Sequence, residues 1–299
     1  MSLFSSINLD RLPPPQIIDQ PDFETIFAAR KARLIELAPE LAPVLELESE
    51  PLVKLLQEDS YREMLLRAAV QDAGTGMTLA FARGAALDHL AAFYGVSRQV
   101  IQEADPSAVP PIEEELESDD RLRARVQLAP EGFTTAGSPG SYTFWALSTS
   151  PQIKDVAVLE TATPGEARIV VLTTEGNGEA SAEILAQVEA NTITRRPLTD
   201  HVLVEAPVIQ SYSIEAELTL YNGPDTELVR QAALSAVEDF VSKNHRLGHD
   251  ITIAGLHASL FQEGVQNVNI TAPTADLVIG SDAAAYCSAI SITVGGRDV

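Results

Sequence analysis

The clearest pattern in the chain is a strict alternation. Tyr212, Ile214, Ala216, Leu218 and Leu220 are apolar, and Ser213, Glu215, Glu217 and Thr219 between them are polar. Successive side chains on a strand point to opposite faces, so this run predicts a strand with one buried face and one wet face. Asn222, Gly223 and Pro224 close it as a turn. Leu228, Val229, Ala232, Ala236, Val237 and Phe240 then recur at helical spacing. A shorter helix over 253–262 starts after Thr252 and stops at Gly264, and strands over 265–271 and 288–294 complete the section. The preceding section has the same character. It predicts a helix over 137–148, strands over 153–160 and 166–174 joined by a turn at Thr163, Pro164 and Gly165, a helix over 179–191, and a strand over 201–205. Each section predicts a few strands covered by two helices on one face.

The first third is helical. Pro13, Pro14 and Pro15 fix φ and remove donors, so residues 8–21 form an extended strap. Asp22 then caps a helix whose stripe is Phe23, Ile26, Phe27, Leu34 and Leu37, interrupted by Pro39 and Pro43. A second helix runs over 51–73, with Pro51 in its first turn, and Gly74, Thr75 and Gly76 break it. A third helix covers 78–94, with Leu79, Ala86, Leu90 and Phe93 on one side and Gly95 as its left-handed terminator. Residues 101–118, with Pro106, Pro110, Pro111 and the acidic run Glu113, Glu114 and Glu115, form a polar boundary and a candidate hinge. A helical segment over 119–129 carries Arg121, Arg123 and Arg125. The expected class is α+β, a helical N-terminal region followed by two small two-layer α/β domains. The expected division is 1–110, 111–206 and 207–299.

Composition narrows the function. Lys and Arg number 20 against 43 Asp and Glu, a formal net charge of −23. Such a surface repels phosphate backbones and anionic head groups, so neither nucleic acid nor membrane is an expected partner. Basic partner surfaces suit it better. Aromatics are 5% of the chain and Trp145 is its single tryptophan, a poor supply for stacking sugars or bases. The single cysteine, Cys287, excludes an internal disulfide, and within the strand expected there it reads as a buried, inert thiol. The run from Met1 to Ser6 lacks the basic start and apolar core of a signal peptide, and no apolar stretch is long enough to span a bilayer.

No catalytic constellation emerges, and no catalytic, cofactor-binding or metal-binding residue is assigned. Gly74, Thr75, Gly76 and Gly84 fail dinucleotide spacing, and neither a Walker A sequence nor a Gly-x-Ser-x-Gly elbow is present. Of the five histidines, His89, His201, His245, His249 and His257, the pair His245 and His249 followed by Asp250 could offer two metal ligands from one helix. The same segment reads as a helix end, where a cation meets the negative pole of the dipole, and a capping role is the simpler expectation. His89, after Asp88, reads as packing or surface. The cluster from Glu113 to Asp120 lacks the calcium-loop pattern and reads as a solvated helix start, with the nearby arginines pairing to acids.

Three segments together carry a family resemblance. One runs from Gly84 through Leu87, Asp88, Leu90, Phe93, Tyr94 and Gly95 to Arg98. The second begins with Glu117, Ser118, Asp119, Asp120, Arg121, Leu122 and Arg123, and continues through Gly137, Ser138, Pro139, Gly140, Ser141 and Tyr142 to Ile153, Lys154, Asp155 and Val156. The third is Arg196, Pro197, Leu198, Thr199, Asp200, His201, Val202, Leu203 and Val204, followed by Pro207 and the strand from Tyr212. In order and spacing, over roughly residues 50–225, the chain resembles the baseplate assembly protein J family of contractile-tailed phages and R-type bacteriocins. The resemblance implies a structural wedge protein that is not an enzyme and holds no cofactor. It implies contacts with other copies of itself in a sixfold ring around the hub. A smaller wedge protein would join two copies through a bundle of N-terminal helices, and the C-terminal α/β domains would contact neighbouring copies. Other baseplate wedge and hub proteins and tail-fibre attachment proteins are further implied partners. The ring would change diameter on triggering and relay the signal for sheath contraction. The protein would be made in a bacterial cytoplasm and leave the cell in a tail or tail-like particle. Two other readings stay open: the equivalent subunit of a type VI secretion machine, and a soluble enzyme using His245, His249 and Asp250.

Overall fold

The computed structural model describes residues 7–223 and 225–298. The run Met1 to Ser6 and the turn residue Pro224 lie outside the described residues. Contacts gather residues 7–97 into one compact unit and residues from Arg98 onward into another. The fold is α+β, helical in the first unit and mixed in the second.

In the first unit, α1 (Phe23–Leu37) opens on Asp22, whose carboxylate accepts the Thr25 N–H at 2.7 Å. That bond satisfies one of the donors orphaned at a helix start. The helix α2 (Pro51–Gly76) packs against α1, and Glu63 of α2 receives Arg30 of α1 at 2.7 Å. The proline strap lies along α2. Gln71 bonds the Pro15 carbonyl at 2.6 Å and the Ile17 N–H at 2.9 Å, and Arg67 bonds the Asp19 carbonyl at 3.1 Å.

Two expectations are corrected here. Gly74, Thr75 and Gly76 do not break α2, which runs through them to Gly76. Gly74 is there because the strap passes so close that a Cβ would stand 2.7 Å from Cγ1 of Ile17. The third helix does not start at Thr78. Residues 77–83 turn, and α3 spans Gly84–Phe93, with Gly84 at φ 50°. Its buried residues are Leu87 and Ala91, one position on from the expected stripe, and Phe93 is 86% exposed. Gly95 follows at φ 70°, the left-handed terminator expected there.

The second unit begins with a small ladder, β1 (Val100–Gln102) against β2 (Glu115–Leu116), extended by a bridge between Asp105 and Ile112. The 101–118 segment, expected as a polar boundary and candidate hinge, is hydrogen-bonded inside this unit. The helices α4 (Asp119–Leu128) and α5 (Pro139–Leu147) follow. Next come β3 (Ile153–Glu160), β4 (Glu166–Thr173), α6 (Ala182–Ile193) and β5 (His201–Glu205). The sheet order is β3-β4-β5, antiparallel then parallel. The helices α5 and α6 cover one face through Tyr142, Ala146, Ile184 and Val188.

The second sheet starts with β6 (Val208–Tyr221), the alternating run. It continues through α7 (Thr226–Asn244), α8 (Ile253–Leu260), β7 (Val265–Ala272) and β8 (Ala283–Asp298). The central strand is β6, antiparallel to β7 and parallel to β8 from Val208 opposite Ala283 to Tyr221 opposite Asp298. Ile214, Leu218, Leu220, Val237, Leu256 and Leu260 are fully buried in one core between this sheet and α7 with α8. Each such side chain stabilises the fold by about 1.5–3 kcal/mol before entropy is counted. The other face of the first sheet, through Ala157, Val170 and Leu172, packs on Ala284 of β8 and on Leu247, which bridges to Ala284 from the loop after α7. Ser118, Ser138, Ser181, Asp225 and Thr252 cap α4 to α8 with side-chain oxygens.

Candidate functional site

The arginines singled out in the sequence all find acids. Arg123, largely buried, meets the exposed Asp120 at 2.6 Å. Arg121 and Arg125 both turn inward to Glu117, which sits one residue before the cap of α4 and is 1% exposed. The acidic cluster from Glu113 to Asp120 is therefore not uniformly solvated. Glu113, Glu114 and Glu115 face water, and Glu117 is buried because two guanidiniums compensate it. Burial draws the Arg121 guanidinium below its usual pKa, Glu117 works against that shift, and Arg125 adds to it.

Arg121 also holds backbone. It donates to the Leu147 carbonyl at 3.1 Å, to Ser150 at 2.8 Å, and to the carbonyl of Ile153. Gln99 receives Arg121 at 3.1 Å and donates to the Ser148 carbonyl at 2.9 Å. Arg98 bonds the Glu117 carbonyl at 2.6 Å and Asp119 at 2.7 Å. One network thus locks the start of the unit to α4, to the end of α5 and to the start of β3. The sequence signal for Glu117 was its spacing, four residues before Arg121 and eight before Arg125. Gln99 had no local signal.

Two of the resemblance segments meet in space. The Tyr142 hydroxyl donates to Asp200 Oδ2 at 2.6 Å, and Arg196 donates to the Asp200 carbonyl. Burial first, then the bond to Asp200, raises the Tyr142 hydroxyl above the ordinary phenol range. Gly137, at φ 73°, passes so close that a Cβ would stand 2.5 Å from Asp200 Oδ2 and 3.0 Å from Pro197. Nearby, Arg195 stacks over the Trp145 ring at 4.3 Å, and Asn191 bonds the Trp145 carbonyl at 2.9 Å. This stiff corner leaves Leu198 fully exposed and Phe133 69% exposed.

The histidine pair is divided by its surroundings. His245 occupies the C-cap of α7, the expected position, and its Nδ1 lies 2.6 Å from the Ala285 carbonyl. Burial lowers its pKa, against which the contact with the Ala285 carbonyl works. His249 is exposed, and the Asp250 carboxylate accepts the Ile279 N–H at 2.7 Å. No group of three His, Cys, Asp or Glu side chains among the described residues could hold a metal ion. His89 is exposed on α3. Cys287 is half-buried on β8, its thiol pushed up by burial and donating to the Ala289 carbonyl at 3.3 Å.

Beside these residues lies a groove of about 580 Å³, between α4 and α5 on one side and β3 and the 246–250 loop on the other. Its walls include Leu128, Leu147 and Val158, with Lys154 and Arg246 as cations and Asp155 and Asp250 as carboxylates. Asp155 lies in it, accepting the Leu247 N–H at 3.0 Å and the Val156 N–H at 2.9 Å. Burial raises its carboxyl above the usual range, and those two backbone bonds oppose the shift. Among the described residues no helix is long and apolar enough to cross a membrane.

Comparison with known proteins matches three successive stretches. Residues 48–105 match the Baseplate J-like N-terminal domain, residues 134–206 the Baseplate J-like central domain, and residues 212–293 the Baseplate J-like protein C-terminal domain. The chain is 42% identical over 299 residues to baseplate protein J of Escherichia phage P2, covering 98% of this chain and 99% of that one. Among solved structures, a chain of the sixfold-symmetrised cryo-EM anti-feeding prophage baseplate aligns with a TM-score of 0.43 at 14% identity, over 60% of this chain. The chain spans 43% of that structural neighbour.

Proposed function

The chain belongs to the baseplate J-like family, and from that premise we propose that it is a structural, non-catalytic wedge subunit of the baseplate of a contractile tail or tail-like particle. The observation that carries this reading is the 42% identity over nearly the full length of both chains to baseplate protein J of phage P2. Its partners are other baseplate proteins. More specifically, copies of the chain join in a sixfold ring around the hub, and a smaller wedge protein completes a helical bundle with the first unit. The ring passes the trigger for sheath contraction to its neighbours. Synthesis in a bacterial cytoplasm and release within the particle follow from the same role.

One feature of the first unit supports the bundle. Leu55, Leu66 and Val70 of α2 and its C-cap Met77 are exposed at spacings of eleven, four and seven residues, which places them on one side of the helix. Leu66 is 68% exposed and Met77 76%. Asp59 and Arg62 interrupt that side after Leu55, so the apolar stripe occupies the last turns of α2, from Leu66 through Val70 to the C-cap Met77, a surface that partner helices cover.

The test is mass spectrometry of purified contractile particles with copy number. Presence at a multiple of six, beside sheath and tube proteins, is the expected result. A soluble monomer absent from particles would overturn the reading.

A further inference from the structure

The chain contains two Asn-Gly pairs, Asn177 with Gly178 and Asn222 with Gly223. This dipeptide carries its own chemistry. The backbone nitrogen of the glycine can attack the side-chain amide carbon of the asparagine, because no Cβ stands in the way. The glycine N–H gives its proton to hydroxide, and the new C–N bond closes a five-membered succinimide. The side-chain nitrogen takes a proton from water and leaves as ammonia, which returns the hydroxide. Water then opens the ring at either carbonyl and leaves aspartate or isoaspartate. Nothing is oxidised or reduced, and the net reaction exchanges water for ammonia.

The fold treats the two pairs differently. Asn177 is half-buried in the turn between β4 and α6. Its side-chain oxygen accepts the Glu179 N–H at 3.1 Å. The Gly178 N–H, whose nitrogen would have to attack, donates to the Glu175 carbonyl at 2.9 Å. The Gly178 carbonyl accepts the Thr173 N–H at 2.9 Å, and Leu172 bridges to Glu179. A Cβ on Gly178 would stand 2.6 Å from Leu172 Cδ1 and 2.7 Å from His245 Nε2, so this backbone is wedged in place. Closing the ring here requires both bonds to Asn177 and Gly178 to break first.

Asn222 and Gly223 are both exposed, in the turn between β6 and α7. Chain neighbours aside, no heavy atom lies within 4 Å of where a Cβ on Gly223 would stand. Among the described residues neither the Asn222 side chain nor the Gly223 N–H has a hydrogen-bond partner. The turn is tied on both sides of the pair. The Tyr221 N–H donates to the Gly264 carbonyl at 3.0 Å, and the Asp225 carboxylate accepts the Glu227 N–H at 2.9 Å and the Leu228 N–H at 3.2 Å. The strand end and the helix cap therefore hold while the two residues between them are free to react.

We propose that Asn222 is a site of spontaneous deamidation in the folded protein, and that the fold protects Asn177 from the same reaction. Each reacted copy gains one negative charge beyond the formal −23. Isoaspartate also lengthens the main chain by one methylene where β6 passes into α7. With age the protein becomes a mixture in the charge and shape of this turn, and the reaction needs no partner chain.

The test is peptide mass spectrometry of the full-length folded chain, held at mildly alkaline pH and sampled over time, beside the same chain in urea. In the folded chain, position 222 is expected to show the amide-to-acid mass gain about tenfold or more faster than position 177, because two hydrogen bonds must break before Asn177 can react. In urea the two positions are expected to react at similar rates. Methylation of the aged chain by an isoaspartyl methyltransferase is expected, and it is expected to be lost in Asn222→Gln. Equal rates at the two positions in the folded chain, or no gain at 222 over a time in which the urea-treated chain reacts there, would overturn the proposal. A gap as wide in urea as in the folded chain would overturn the protective role of the fold, since neighbouring residues alone would then set it. Methylation that persists in Asn222→Gln would place the reactive site elsewhere.

Discussion

Glu117 and Arg125 form an ion pair inside the protein, with side chains 0% and 7% exposed. Arg121 joins from the other carboxylate oxygen at 3.1 Å. A buried charge left without its partner costs far more than the pair contributes when intact. Glu117→Gln keeps the shape and removes the charge, and should cost about 3–5 kcal/mol of stability. Urea unfolding of the full chain checks this. A loss under 1 kcal/mol would mean that water already reaches the pair.

The strap and α2 make a second case. Gly74→Ala gains helix propensity of about 1 kcal/mol but pushes Ile17 off the helix. Faster proteolysis within residues 8–21 should follow, with the helices retained. Adding Ile17→Ala removes the clash, and the double variant should be more stable than Gly74→Ala alone. Cleavage rates unchanged by Gly74→Ala would show that the strap accommodates the methyl.

Acid should loosen the second unit through His245. Its pKa is lowered in the folded chain, chiefly by burial. An unfolded chain therefore takes the proton more readily. The contribution is fully present above the ordinary histidine value of 6.5, and it is lost as pH falls through the lowered folded value. Urea midpoints at pH 7.5 and 5.5 should fall further for wild type than for His245→Gln. Equal falls would place the acid sensitivity on other groups.

The α2 stripe separates folding from assembly. Leu66→Lys and Met77→Lys replace exposed side chains, so each should change stability by about 0.5 kcal/mol or less. The same variants should be depleted from purified particles. Full incorporation of both would mean that this side of α2 faces solvent in the particle.

Local chemistry made much of the fold legible in the sequence. Asp22 announced its helix because a cap needs only residues three positions away. The alternation from Tyr212 to Leu220 announced a half-covered strand because its period is a property of the backbone. What failed was set at a distance. Gly74 read as a breaker because a glycine's local effect is flexibility, and its reason is a side chain in the strap. Glu117 read as solvated because three glutamates precede it, and its burial depends on Arg121, on Arg125 and on Gln99 across the β1–β2 ladder. The strand expected over 288–294 begins at Ala283, since its small residues gain strand character only by lying beside β6. The candidate interaction surfaces were invisible in the same way. Nothing in the order of residues announces that Lys154 and Arg246 share a groove.

The pairing of β6 with β8 has a consequence for how the protein is made. A ribosome emits β6 long before β8, so the central strand of the second sheet waits with both edges bare until β7 is made, and with one edge bare until β8 follows. Contacts so far apart in sequence form slowly. Until Asp298 has emerged, Ile214, Leu218 and Leu220 lack the strand that finishes their core. A chain that lacks β8 would then offer a sticky, unfinished sheet to chaperones and proteases, and completion of this one strand pair would act as a checkpoint on which copies become competent for assembly.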